Sequence, residues 1–272
     1  MNPSLSRFLF LVFSAFSSLA SSSGDQDYLL LHRPLFANRH VAGGGDVDPE
    51  NLWFLCASWR FAGEANNLAP WAIVPLECGG YVGEYMTGKA YVFDLEITAR
   101  EAAAFARSVP LADDGKDAWV FDVDETMLSN LPYYADHGFG LELFNGQEFN
   151  KWVEKGVAPA INSSLKLYME VLDLGFKIFL LTGRSEAQRA ITVYNLNSAG
   201  FQDWEKLILS ISHRGTGDAR KSAMLYKSEK RSEMVADGYR IHGNSGDQWS
   251  DLLGSNTGNR SFKLPNPMYY IP

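Results

Sequence analysis

Ala118-Trp119-Val120-Phe121-Asp122-Val123-Asp124-Glu125-Thr126 (AWVFDVDET, residues 118–126) is the stretch that decides the fold. Ala118 to Val123 is short and largely apolar, as expected of a strand buried on both faces of a parallel sheet. Working outward, Phe176 to Leu181 (FKIFLL), Lys206 to Ile211 (KLILSI) and Tyr239 to His242 (YRIH) repeat the theme. Helical stretches separate them. Ser164 to Leu174 carries Leu165, Tyr168, Met169 and Leu172 at three- and four-residue spacing. Ser185 to Ala199 opens with Ser185 and Gln188 in capping-box register and ends at Gly200, a residue suited to the left-handed turn after a helix. Tyr226 to Ala236 is a third. Strands alternating with such helices imply right-handed crossovers and an α/β, doubly wound, Rossmann-like parallel sheet. Ligands of such sheets bind outside the carboxyl ends of the strands.

Four polar clusters fall at or beyond those ends. In Asp122-Val123-Asp124 the two carboxylates alternate with valine and point to the same side of an extended chain. Their mutual repulsion calls for a bound cation or a shared proton. Leu181-Thr182-Gly183-Arg184 offers a hydroxyl, a flexible turn and a guanidinium fork suited to phosphate oxygens. Lys227 is read near a helix N-terminus, where side chain and dipole together favour an anion. Gly246-Asp247-Gln248-Trp249-Ser250-Asp251 places two more carboxylates after the last strand. A hard cation ringed by oxygens, facing Lys, Arg and Thr, is what phosphoryl transfer requires.

This ordered set resembles the four motifs of the haloacid dehalogenase (HAD) superfamily. More narrowly, Asp124 to Tyr134 (DETMLSNLPYY), Tyr226 to Arg231 (YKSEKR) and Gly246 to Asp251 (GDQWSD) resemble plant acid phosphatases of the vegetative-storage-protein family, from about Trp59 to the C-terminus. The resemblance implies a HAD-like core with a small cap and hydrolysis of small phosphomonoesters with magnesium. It implies Asp122 as nucleophile forming an aspartyl-phosphate and Asp124 as general acid and then base. Thr182 and Lys227 would hold the phosphoryl oxygens, with Gly183 in the turn between and Arg184 as an added phosphate contact. Magnesium would be held by the Asp122 carboxylate, the Asp124 backbone carbonyl and Asp247, with Asp251 supporting them. Lys230, about one turn along the same helix, is the alternative lysine. Carboxylate neighbours are expected to raise the pKa of Asp124, opposed by magnesium, and an acidic optimum is expected with it. Some relatives serve as storage proteins with the nucleophile replaced. Here Asp122 is present, and a storage role with little turnover is the rival. A homodimer is implied by the resemblance alone.

The rest of the 272 residues bounds the setting. Arg7, the apolar run Phe8 to Phe16 and small residues to Ser23 lay out a secretory signal peptide over 1–23, too short and serine-broken to span a bilayer. Residues 24–110 read as an aromatic-rich extension packed on the core domain, 111–272. The insert of about 131–157 is the place for a small cap, where Tyr133, Tyr134, Phe139, Phe144 and Trp152 line a substrate mouth or fill a core. Cys56 and Cys78 allow one disulfide or two buried thiols. Asn162-Ser163-Ser164 and Asn259-Arg260-Ser261 are glycosylation sequons. Together these point to the secretory pathway, with an extracellular or vacuolar destination and no membrane attachment once the signal is removed. A net charge of -8 supplies no basic footprint for nucleic acid. Gly83 to Lys89 fits a phosphate-binding loop core, but Ala90 lacks the metal-binding hydroxyl and no strand leads in, so a helix ending at Gly88 is the reading. The five histidines show neither zinc spacing nor a serine-hydrolase elbow.

Overall fold

The computed structural model describes residues 48–210 and 221–272. The signal segment 1–23 lies outside the described residues, as do Ile211 at the end of the third expected strand and His32, His40 and His213. Five strands form one parallel sheet in the order β3-β2-β1-β4-β5. They are β1 (Asp117–Phe121), β2 (Lys177–Ser185), β3 (Lys206–Ser210), β4 (Arg240–Gly246) and β5 (Arg260–Lys263). The chain walks from β1 to β2 and β3, then returns to the other side of β1 for β4. The crevice of a doubly wound sheet opens at that reversal, beside the carboxyl end of β1.

Side-chain alternation along β1 builds a core on each face. Trp119 and Phe121 pack with Leu167, Tyr168 and Val171 of α6 (Asn162–Asp173) and with Ala102, Ala103 and Ala106 of α3 (Lys89–Ser108). Ala118 and Val120 point the other way, to Tyr226 and Met234 of α8 (Ala223–Ala236). Trp119 is fully buried, stacked on Phe262 at 5.5 Å between ring centroids, and its indole donates to Ser245 Oγ at 3.0 Å. Truncating a core tryptophan of this kind costs about 3–5 kcal/mol.

A third apolar cluster joins α1 (Pro49–Glu64), α2 (Gly79–Thr87) and the start of α3 to α4 (Leu131–Asp136) and the C-terminal Leu264 and Met268. Cys56 of α1 and Cys78, just before α2, are disulfide-bonded inside it. Residues 131–157 form α4 and the amphipathic α5 (Gly146–Val153), whose N-cap Asn145 accepts from the amides of Gln147 and Glu148. Tyr133 and Tyr134 are buried in the third cluster, whereas Phe144 is 64% exposed. The Gly83–Lys89 segment is the end of α2, capped at Gly88, followed directly by α3.

Several boundaries differ from the sequence reading. β2 and β4 run on through Thr182–Ser185 and Gly243–Gly246, and β5 is an additional short edge strand. The helix after β2 opens as a 3-10 turn, Glu186–Gln188, with the Ser185/Gln188 capping box formed, and continues as α7 (Arg189–Ser198) before Gly200 at φ 96°. α8 starts at Ala223 with Ser222 as N-cap, its hydroxyl accepting from Leu225 N.

Candidate active site

Asp122 is the first residue past β1, and its amide donates to Ser245 O of β4 at 2.9 Å. That bond carries the carboxylate into the crevice between the two strand ends. The chain then folds back: Met127 and Leu128 amides both donate to Val123 O, and Glu125 adopts φ 52°. A left-handed non-glycine residue is strained, and such strain concentrates at functional sites. Beyond β4 a tight turn leads into α9 (Trp249–Leu252), which brings Asp251 back against the strand. A Cβ on Gly246 would sit 2.4 Å from Asp251 Cβ, so only glycine permits the approach. The turn is pinned by Arg231, fully buried, whose Nη1 donates to Asp251 O at 2.7 Å, and by Asn244 Nδ2 to the same oxygen at 2.8 Å.

Asp122, Asp247 and Asp251 thereby converge, with one oxygen of each within 4.8 Å of the others. All three are buried, and the facing positive group is Lys227, whose Nζ donates to Asp122 Oδ1 at 2.6 Å and also to Asp251 Oδ1. Burial pushes Asp122 well up from the ordinary carboxylate range, Lys227 pulls it back in part, and Asp251, Asp247 and Asp124 add to the rise. Burial likewise lifts Asp247 to about 6, reinforced by Asp251 and opposed by hydrogen bonds from Asn266 Nδ2 and Gln248 Nε2, each 2.7 Å long. Burial pulls Lys227 down, but Asp122 and Asp251 more than reverse it, and the lysine stays charged. One lysine among three carboxylates leaves excess negative charge in a buried, all-oxygen pocket. A hard divalent cation fits that pocket by charge and donor type.

Lys227 is not at a helix N-terminus. α8 begins four residues earlier, at Ala223, so the side chain reaches the site from the second turn and acts as a charge rather than with the helix dipole. Lys230 lies outside the site, paired with Glu233 at 2.7 Å on the surface.

Asp124 sits at the mouth, its side chain 19% exposed. Arg184 holds it: Nη2 donates to Oδ1 at 2.7 Å, and Nε reaches both oxygens at 3.1 Å. The guanidinium expected to touch phosphate is therefore engaged by a carboxylate, with Nη1 on Thr192 Oγ1 at 3.3 Å. Asp124 also departs from the expected pKa. Burial pushes it up, but Arg184 and then Asn130 outweigh that, and the carboxyl is held below its usual range. Thr182 is fully buried beside it, its hydroxyl accepting from the Arg184 amide at 3.1 Å, and a Cβ on Gly183 would meet only open space.

Sequence reasoning missed Glu125, Asn130, Arg231, Asn266 and Tyr269. Glu125 is fully buried and accepts from Asn130 N at 2.6 Å, Asn130 Nδ2 at 2.9 Å and Tyr269 Oη at 3.2 Å; burial, with Asp247 and Asp124, raises its pKa to about 8. Glu125 and Asn130 lay within the DETMLSN string and Arg231 at the end of YKSEKR, whereas Asn266 and Tyr269 lay in no quoted motif.

Residues 49–272 match the family model described as HAD superfamily, subfamily IIIB (acid phosphatase). The chain belongs to this family. Its relatives include Acid phosphatase 1 of Solanum lycopersicum, 62% identical over 216 residues, spanning 79% of this chain and 83% of that one. The Stem 28 kDa glycoprotein of Glycine max is 43% identical over 238 residues, covering 87% and 91%. Vegetative storage protein 1 of Arabidopsis thaliana is 37% identical over 219 residues, covering 80% and 79%. Among solved structures, the class C acid phosphatase of Bacillus anthracis superposes with TM-score 0.56 at 22% identity, over 71% of this chain and 85% of that one, which establishes the shared fold. The subfamily IIIB chain is thus an acid phosphatase, and divalent metal use is general among HAD phosphatases.

Proposed function

We propose that this acid phosphatase hydrolyses small phosphomonoesters through an aspartyl-phosphate on Asp122, with magnesium in the Asp122–Asp247–Asp251 pocket. The observation that carries the reading is the convergence of those three buried carboxylates on Lys227 at the crevice of the sheet. Asp122 attacks phosphorus; the ester P–O bond breaks as the new O–P bond forms. Asp124 gives its proton to the departing alkoxide and takes one from the water that then cleaves the acyl phosphate. Lys227, Thr182 and the open turn at Gly183 bind the phosphoryl oxygens. Asp247 and the Asp124 backbone carbonyl join Asp122 as metal ligands, and Asp251 keeps Lys227 in place. Magnesium, when bound, neutralises charge on the phosphoryl oxygens.

A carboxyl held low by Arg184 is protonated only in acid, which supports an acidic rate optimum for general-acid chemistry through Asp124. The Cys56–Cys78 disulfide supports passage through an oxidising compartment and hence an extracellular or vacuolar destination. Asn162 and Asn259, both exposed, are the proposed glycan acceptors, and the homodimer belongs to the same reading. No helix among the described residues is long and apolar enough to cross a membrane.

The test is phosphate release from an aryl phosphate with magnesium, in the unaltered chain and in Asp122→Asn. The variant is expected to lose about four orders of magnitude or more in kcat while keeping its fold. Equal rates would reject the nucleophile. Background turnover in the unaltered chain, with metal bound, would favour storage instead.

A further inference from the structure

The two oxygens of Asp124 are not equivalent. Oδ1 accepts from Arg184 Nη2 at 2.7 Å and from Asn130 Nδ2 at 2.8 Å. Among the described residues, Oδ2 receives only the Arg184 Nε–H, shared with Oδ1 at 3.1 Å. One oxygen is anchored by two short charge-assisted bonds, and the other is left for the reaction.

The anchor depends on which way the Asn130 amide points. Trp152, on the cap helix α5, donates its indole N–H to Asn130 Oδ1 at 2.9 Å. An indole nitrogen only donates, so the amide oxygen must face Trp152, and the NH2 group must face Asp124 Oδ1 and Glu125 Oε2. The two carboxylates already select the NH2 end; without the indole donor the amide oxygen loses this partner, and the side chain loses the contact that holds it at this angle. A flip would turn a carbonyl toward two carboxylates. Asn130 is fully buried, whereas Trp152 is half-buried between Tyr133 and Lys155.

We infer that Trp152 and Asn130 are a positioning pair through which the cap holds Asp124 with Oδ2 turned to the leaving group. The inference rests on Asp124 as proton donor. A misplaced donor penalises a poor leaving group, which needs its proton, far more than a good one, which does not.

The experiment compares kcat/KM for an alkyl phosphate (glycerol 2-phosphate) and for p-nitrophenyl phosphate within each enzyme preparation. Their ratio does not depend on how much of the protein is folded. Trp152→Phe keeps an aromatic ring and removes the donor; its alkyl-to-aryl ratio is expected to fall about tenfold, with the aryl substrate changing less than about twofold. Asn130→Ser, which removes the amide itself, is expected to lower the ratio at least as far. Asp124→Asn is expected to lower it about a hundredfold. An unchanged ratio in Trp152→Phe and Asn130→Ser, with the fall present in Asp124→Asn, overturns the positioning pair alone. An unchanged ratio in Asp124→Asn removes the donor role and the inference together.

Discussion

Asp117 and Asp122 bracket β1, and the two ends of the strand treat a buried carboxylate in opposite ways. Asp117 is 3% exposed and satisfied: Oδ1 bonds Arg240 Nε at 2.8 Å and His242 Nε2 at 2.7 Å, and Oδ2 accepts from Ala112 N at 2.6 Å. Arg240 foremost holds it down to about 2, against the push of burial. Asp122, 6% exposed, shares one lysine with Asp251 and stands near Asp247, and its pKa is driven up. The same residue type on the same strand serves stability at one end and stores unrelieved charge at the other. The strained charge lies at the carboxyl end, where sheets of this topology bind ligands.

Removing Lys227 from the crowded end should have the larger effect. Lys227→Met leaves three buried carboxylates facing one another. It is expected to destabilise the metal-free protein by about 3 kcal/mol in urea unfolding, and to lower kcat by about a thousandfold. Added magnesium should restore much of the stability and little of the rate. A variant as stable and active as the parent would mean that the lysine is not the neutralising group.

At the quiet end, Asp117→Asn should change kcat less than about twofold, because the residue lies at the opposite end of the strand from the chemistry. Its effect is on stability, and it depends on pH. Asp117 has a folded pKa below its unfolded value, so its contribution is full above about pH 4 and disappears as pH falls through about 2. Denaturation midpoints of variant and parent should therefore differ at pH 6 and converge near pH 2. A difference that persists into strong acid would refute the ion-pair account of that end.

Strand β1 and the beginnings of β2, β3 and β4 were legible because buried parallel strands are apolar on both faces. Their tips were not. Thr182–Ser185 and Gly243–Gly246 are polar or small, and their strand character comes from backbone pairing with β3 and with β1 and β5. β5 carries a single inward apolar side chain, Phe262, among Arg260, Ser261 and Lys263. The motif residues of the site could be named from sequence, but not what each one touches. The partner that Arg184 holds, Asp124, comes from the loop after a different strand, so the pairing could not be read from either motif. Asn130 and Trp152, on either side of α4, meet only once the chain has folded, and Asn266 reaches Asp247 from the C-terminal segment.

The central claim is covalent, and it can be read directly. The enzyme is denatured in acid during turnover of a phosphomonoester labelled in its phosphoryl group; one half is mapped for the label without reduction, and the other is reduced with borohydride, which expels the phosphate, and mapped by peptide mass spectrometry. The account predicts label on the peptide holding residues 117–126 and conversion of Asp122 to homoserine, the product of reducing an acyl phosphate. Label on a histidine, or on a carboxylate other than Asp122, would contradict it.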